Sequence, residues 1–160
     1  MVYELTRYRV YTDASYFEDI KTREGDDIIG LGAYIIEIAN GQFCFHSRTW
    51  RTTLPCHEST LNELLAIYRA LYLLRYWNLP CTVEIYTDCS YAIQHIHLKR
   101  RGTKTASIVR KIRRLSEWFP HLEFKVLSKK QKRQAAPRRA HKLAQLAARG
   151  TQTTSRKGAA

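Results

Sequence analysis

Several things this sequence lacks narrow its function before any motif is read. No apolar run approaches the roughly 18 to 20 residues that cross a bilayer as a helix, so no membrane partner is expected. Met1 to Tyr8 is mixed polar and carries no apolar signal segment; the expected compartment is the cytoplasm. Cysteine is sparse, and Cys44, Cys56, Cys81 and Cys89 form no CxxC pair. That spacing suits free thiols in a reducing compartment better than a disulfide framework. Cys44 with His46, and Cys56 with His57, could offer four zinc ligands, but structural zinc sites usually keep paired ligands on turn spacings. No repeat of solenoid length is present.

Negative charge is scarce as well. Asp and Glu number 14 against 27 Lys and Arg, a net charge of +13 on 160 residues. Of those cations, 16 lie between Lys99 and Lys142, where the only acids are Glu117 and Glu123. Such an imbalance is an electrostatic footprint for a polyanion. No basic amphipathic helix shows the aromatic-rich face of a membrane binder, so the expected partner is nucleic acid.

What is present suffices for one core. Hydrophobic residues make up 44% and aromatics 11%, enough for a single domain over residues 1–150, expected to be a monomer. The small, polar, basic segment 151–160 is expected to be a disordered tail.

Along the chain, Arg7–Asp13 reads as a strand ending in a small polar break at Ala14-Ser15. A charged stretch from Glu18 to Asp27 precedes strands at Leu31–Ala39 and Gln42–Trp50. Asn40-Gly41 between them is a strong hairpin signal, because a type I′ turn needs two positive φ angles. Ser59–Tyr76 reads as a helix with apolar stripes on two sides, and is therefore expected to be largely buried. Thr82–Asp88 is a strand; helices are expected near Ser90–Leu98 and over Thr105–Phe119, with a short strand at Glu123–Leu127 between them and the last helix. A basic loop, Ser128–Ala136, leads into that helix, which starts at Pro137 and stops at Gly150. The order βββαβααβα implies a mixed α/β sheet with helices on its faces.

One internal echo carries chemistry. Val10-Tyr-Thr-Asp-Ala-Ser-Tyr16 and Ile85-Tyr-Thr-Asp-Cys-Ser-Tyr91 both place an Asp at an expected strand end. Alternate strand residues share a face, so Tyr11 goes with Asp13 and Tyr86 with Asp88. If these strands run parallel and adjacent, the two carboxylates converge where open α/β folds bind ligands. Either Asp alone could simply cap the next turn or helix. Glu63 is a third candidate. It fits a capping box with Thr60, yet it also precedes Ile67 and Ala70 on an apolar stripe, and an inward carboxylate wants a partner. Three carboxylates suit a hard divalent ion such as Mg²⁺.

With those motifs in place, the chain resembles ribonuclease H of type 1. The resemblance is carried by YTDAS (11–15), STLNELLAIYRAL (59–71), VEIYTDCSYAI (83–93) and RRAHKLAQLAARG (138–150), in order across residues 7–150. It implies a ribonuclease H-like five-stranded mixed sheet of order 3-2-1-4-5, with helices on both faces. It implies endonucleolytic hydrolysis of the RNA strand of RNA–DNA hybrids with two Mg²⁺ or Mn²⁺ ions. Asp13, Glu63 and Asp88 match the first three catalytic, metal-holding acids. Ser15, Ser59, Thr60 and Ser90 flank them and are candidates for 2′-hydroxyl contacts.

Two departures stand out. Where the family usually has a fourth Asp, in an AD-x-LA pattern, this chain has His141; imidazole suits Mn²⁺ and later metals better than Mg²⁺. His141 is therefore expected in the shell of the second ion. The longer members' basic helix is shortened here to Lys99, Arg100, Arg101 and Lys104, leading to Arg113 and Arg114, expected to grip phosphates without reading sequence. Competing readings are another nuclease or strand-transfer activity on the same fold, or a weak or inactive hybrid-binding module.

Overall fold

The computed structural model describes residues 4–77, 81–98 and 104–150. Strands β1 (Thr6–Lys21), β2 (Asp27–Ala39) and β3 (Gln42–Leu54) precede helix α1 (Ser59–Leu74). Then come β4 (Cys81–Thr87), α2 (Ser90–His97), α3 (Ala106–Ser116), β5 (His121–Val126) and α4 (Ala135–Arg149). The five strands form one sheet in the order β3-β2-β1-β4-β5. β1 is antiparallel to β2 and β2 to β3, whereas β4 is parallel to both β1 and β5. The expected sheet order and mixed character are the observed ones.

Period-two alternation sorts the strands' side chains onto two faces. Tyr8, Val10, Ala33, Ile35, Val83 and Ile85 turn to one side and form a single core with Leu64, Ile67, Leu71 of α1 and Ile108, Ile112 of α3. The residues of opposite parity face α4. There Gly30 and Gly32 take the place of side chains: a Cβ on Gly32 would lie 2.5 Å from the Ala140 carbonyl oxygen and 2.6 Å from the Ala144 nitrogen. Only the absence of that carbon lets the backbone of α4 rest on β2.

Some boundaries differ from the sequence expectation. β1 does not end at Asp13; it continues to Lys21, paired with β2 beyond the edge of β4. The charged residues Glu18, Asp19 and Lys21 are tolerated there because this end of β1 is an exposed edge, with β2 and β3 on its other side. Its turn is closed by Asp26 N–H donating to Thr22 Oγ1 at 3.0 Å, with Gly25 at φ 85°. The Asn40-Gly41 hairpin is as expected, with φ angles of 51° and 71°. α4 begins at Ala135, so Pro137 stands third in the helix, where its missing N–H still has no helical acceptor to lose. Gly150 caps it with φ 67°.

The start of α1 also departs from the sequence expectation. Glu63 caps nothing; the N-cap of α1 is Glu58, whose carboxylate accepts from the Thr60 and Leu61 N–H groups at 3.2 and 2.8 Å. A second anchor fixes the approach to α1: the Asp27 carboxylate accepts from the His57 N–H at 2.7 Å and pairs with Lys21. Glu63 is thereby left available for another task.

Candidate active site

The parallel pairing of β1 with β4 runs from Thr6–Cys81 to Tyr11–Tyr86 and then stops, because β4 ends at Thr87. β1 carries on, with Asp13 opposite Gly32 of β2. Beyond Thr87, β1 therefore has an open edge, and Asp88 sits beside it at the start of the turn into α2. The rings of Tyr11 and Tyr86 stack with centroids 4.9 Å apart, fixing the register one step before the two aspartates. Asp88 does not cap α2, whose N-cap residue is Cys89.

Glu63 reaches this edge from the other layer. It lies in the first turns of α1, only 9% exposed, on the stripe continued by the fully buried Ile67 and Ala70. Its Oε1 accepts from the Ala14 N–H at 3.2 Å, and the same N–H is 2.9 Å from Asp13 Oδ1. Ligand atoms of Asp13, Glu63 and Asp88 all lie within 4.8 Å of one another. The expected trio thus converges, through a gap that the early end of β4 opens in the sheet.

Such crowding has an electrostatic cost. Burial, and then the neighbouring charge of Asp88, raises the Asp13 carboxyl above its ordinary pKa; hydrogen bonding to Glu63 and to His141 partly offsets this. Glu63 is pushed well above the usual carboxyl range, first by burial and then by the charges of Asp13 and Asp88. Its Oε2 is buried with no hydrogen-bond partner. A buried acceptor without a donor is costly, and three converging carboxylates repel one another. A hard cation would relieve both penalties, and an all-oxygen donor set is the kind that Mg²⁺ and Mn²⁺ accept. The residues fit a divalent metal.

His141 arrives from the α4 side. Its Nδ1 lies 2.6 Å from Asp13 Oδ2, with its own side chain 57% exposed and that of Asp13 14%. The group within mutual ligand distance contains the three acids and not His141. His141 therefore meets the site through Asp13. The glycine seam explains how it gets there: Gly32 is the β-sheet partner of Asp13, and Ala140, next to His141, is the residue pressed onto Gly32.

Next to these groups opens a cleft of about 600 Å³ whose lining brings Asp13, Asp88 and His141 together with the cations Lys132, Arg138, Arg139 and Lys142. The sequence alone does not single out these four cations, since KKQKRQAAPRR reads only as a basic run. The short 3-10 turn Gln131–Arg133 and the first turns of α4 fold that run against the acids. A helix start preceded by clustered Lys and Arg, four residues from a motif position, is the signal that points to them.

None of the remaining candidates among the described residues makes a hydrogen bond or ion pair to the trio. Ser15 pairs with Gly30 in the β1–β2 ribbon. Ser59 opens α1 and Ser90 opens α2, both exposed, and Thr60 is engaged through its N–H by Glu58. Lys104 and Arg114 are exposed, at the turn before α3 and on α3. Arg113 is otherwise occupied: its Nε and Nη2 both donate to the Ile96 carbonyl oxygen, at 2.9 and 2.7 Å, tying α3 to the end of α2. Lys99, Arg100 and Arg101, like the tail 151–160, lie outside the described residues. No described helix is long and apolar enough to cross a membrane.

This arrangement has relatives among solved structures. The chain is similar to LC9-RNase H1, described as a type 1 RNase H with the type 2 active-site motif, at 18% identity and a TM-score of 0.69, over 94% of this chain and 75% of that one. It is similar to LC11-RNase H1, solved in complex with an RNA/DNA hybrid, at 18% identity and a TM-score of 0.64, over 90% and 98%. RNase H1 of the archaeon Halobacterium salinarum NRC-1 is also similar, at 14% identity and a TM-score of 0.61, over 88% and 96%. No curated protein sequence gives a significant match. At these identities the likeness establishes the fold, and the family rests on the sequence profile of RNase H, which matches residues 6–148. The chain belongs to the RNase H family and is a ribonuclease H enzyme.

Proposed function

We propose that this chain hydrolyses the RNA strand of RNA–DNA hybrids, using divalent cations held by Asp13, Glu63 and Asp88 with His141 as the fourth group. The observation that carries the reading is the convergence of three carboxylates around a buried, unpartnered Glu63 oxygen. When bound, a pair of Mg²⁺ or Mn²⁺ ions supplies an activated water and compensates charge developing on the phosphate.

The chain's own groups do the rest. Asp13 occupies the centre, facing Glu63 through the shared Ala14 N–H and His141 through Oδ2. His141 Nδ1 is within hydrogen-bond reach of that carboxylate and is placed to hold a proton against it. Lys132, Arg138, Arg139 and Lys142 line the same cleft as the acids and bind the phosphates that flank the scissile bond. Ser15, Ser59, Thr60 and Ser90 are the groups available for 2′-hydroxyls, the feature that separates RNA from DNA. Lys104 and Arg114 extend the basic surface, with Lys99, Arg100 and Arg101 in the adjoining segment. LC11-RNase H1, which shares the fold, has been seen on an RNA/DNA hybrid.

The test is cleavage of matched RNA–DNA, RNA–RNA and DNA–DNA duplexes with Mg²⁺ and Mn²⁺ compared. Cutting confined to the RNA strand of the hybrid, and lost in Asp88→Asn, is the expected result. Tight hybrid binding without cleavage of any duplex would make the chain a binding module instead.

A further inference from the structure

A second group of potential metal ligands stands away from the acidic trio. Glu37 of β2 is the cross-strand partner of Cys44 of β3, and His46 lies two residues beyond Cys44, on the same face of β3. One ligand atom from each, a carboxylate oxygen, a thiol sulfur and an imidazole nitrogen, lie within 4.8 Å of one another. Glu37 Oε2 and His46 Nε2 are 2.9 Å apart, sharing a proton where a cation could sit.

From these residues we infer a separate zinc site, in which Glu37, Cys44 and His46 bind a thiophilic divalent cation and leave a fourth position for water. The donor set differs in kind from the first: thiolate and imidazole favour Zn²⁺ and its neighbours, whereas the trio of carboxylates favours hard ions. A tetrahedral ion with bonds of about 2.0 to 2.3 Å spaces its ligand atoms roughly 3.3 to 3.6 Å apart. Opening the present Glu37–His46 contact by a few tenths of an ångström reaches that spacing for this pair, and the Cys44 sulfur, within 4.8 Å of both, has to close on them to complete it.

The site is partly built. The His46 ring packs on Trp77 with centroids 4.7 Å apart, and Arg48 lies over the same indole at 5.8 Å, so the imidazole is oriented before any ion arrives. Glu37 and His46 are about three-quarters covered, with side chains 22% and 23% exposed, while Cys44 is exposed and gives an ion access. The four-ligand grouping considered from the sequence does not form. Cys56 and His57 join no such cluster among the described residues, and the His57 ring is stacked on Tyr16 at 3.8 Å.

Binding displaces the Cys44 thiol proton to solvent, moves the proton shared by Glu37 and His46 to His46 Nδ1 or to solvent, and joins β2 to β3 close to the Asn40-Gly41 turn. Glu37 is five residues along β2 from Gly32, roughly 16 Å from the strand position of the trio. Occupancy is therefore independent of the proposed nuclease activity.

Cobalt(II) titration of the full chain in excess Mg²⁺ separates the two sites, because only a thiolate ligand gives an intense near-ultraviolet charge-transfer band. The expected result is one equivalent of Co²⁺ with that band, displaced by Zn²⁺. Cys44→Ser should abolish the band. Glu37→Gln or His46→Gln should weaken binding by at least the roughly tenfold that losing even an outer-shell partner costs. Cys56→Ser and Asp88→Asn should leave the band as in the wild type. Absence of the band in the wild type, or its survival in Cys44→Ser, overturns the inference. Hybrid cleavage by Cys44→Ser at the wild-type rate would show that this exposed substitution leaves the fold intact.

Discussion

His141 Nδ1 stands 2.6 Å from Asp13 Oδ2 although 128 residues separate them in sequence. The contact joins the outer helix to the central strand at the point where negative charge is most crowded. Removing the imidazole takes away one of the few groups that favour the ionised form of Asp13. His141→Ala should therefore lower the rate of hybrid cleavage by roughly 10- to 100-fold, the usual effect of losing a group that orients a metal-binding side chain. His141→Asp should keep activity and lower the ratio of Mn²⁺- to Mg²⁺-supported rates. Initial rates of the three proteins in each metal decide the matter; equal rates and equal ratios would remove His141 from the site.

Glu63→Gln should separate function from stability. Cleavage should be lost, yet the chelator-treated variant should melt at a higher temperature than the wild type, because a buried, crowded charge has gone. The pH sign comes from linkage. Burial and neighbouring charge raise the Glu63 and Asp13 carboxyls in the folded chain, so between the ordinary carboxyl range and the raised values the folded state binds more protons than the unfolded. Metal-free stability then falls as pH rises through that window. Thermal melts in chelator from about pH 4 to 8 should show this fall, and a shallower one for Glu63→Gln.

Gly32→Ala should damage both fold and catalysis. Its methyl carbon would meet the Ala140 carbonyl and the Ala144 nitrogen, both helix backbone that cannot turn aside. Overpacking of this kind costs about 1 to 3 kcal/mol, readable as a lower urea midpoint. Because α4 must shift to make room, His141 should leave Asp13, and the residual activity should respond to His141→Ala less than the wild type does.

The basic cleft wall should govern affinity without sequence preference. Replacing Arg138 and Arg139 by Glu should weaken hybrid binding and flatten its salt dependence, by about one unit of slope for each phosphate that is no longer neutralised. Arg114→Glu should behave similarly but more weakly if its exposed position on α3 meets the duplex margin. Arg113→Glu is expected to lower thermal stability, since its guanidinium holds the Ile96 carbonyl. Fluorescence anisotropy across a salt series, paired with melts, distinguishes the two effects.

Much of the fold and the site is legible in the sequence for physical reasons. The repeated Tyr-Thr-Asp reports strand parity, which survives any uncertainty about where a strand stops. Asn40-Gly41 specifies its turn by backbone geometry alone. Glu63 is visible because a charged residue on an apolar stripe is anomalous. Other features depend on the conformation of a distant segment. β1 runs past Asp13 because β2 continues to pair with it, and nothing local to residues 14–21 declares that. Glu58 takes the capping role that Thr60 and Glu63 are spaced to share, a choice set by how the chain enters α1 from Asp27 and His57. Arg113 reads as one more surface cation until α2 presents a carbonyl to it.

The seating of α4 on Gly30 and Gly32 has a consequence for how this enzyme could vary over generations. Asp13 is fixed by the sheet and Glu63 by a buried helix, so only a side chain of nearly the same shape fits at either position. The residue at 141 hangs from a helix whose docking uses backbone, alanines and Leu143 on its inner side, while its own side chain reaches Asp13 from the cleft and stays more than half exposed. Its chemistry can be exchanged in a single mutational step with little penalty to folding. That makes position 141 the natural place for lineages, or for directed evolution, to retune the reaction while inheriting the scaffold unchanged.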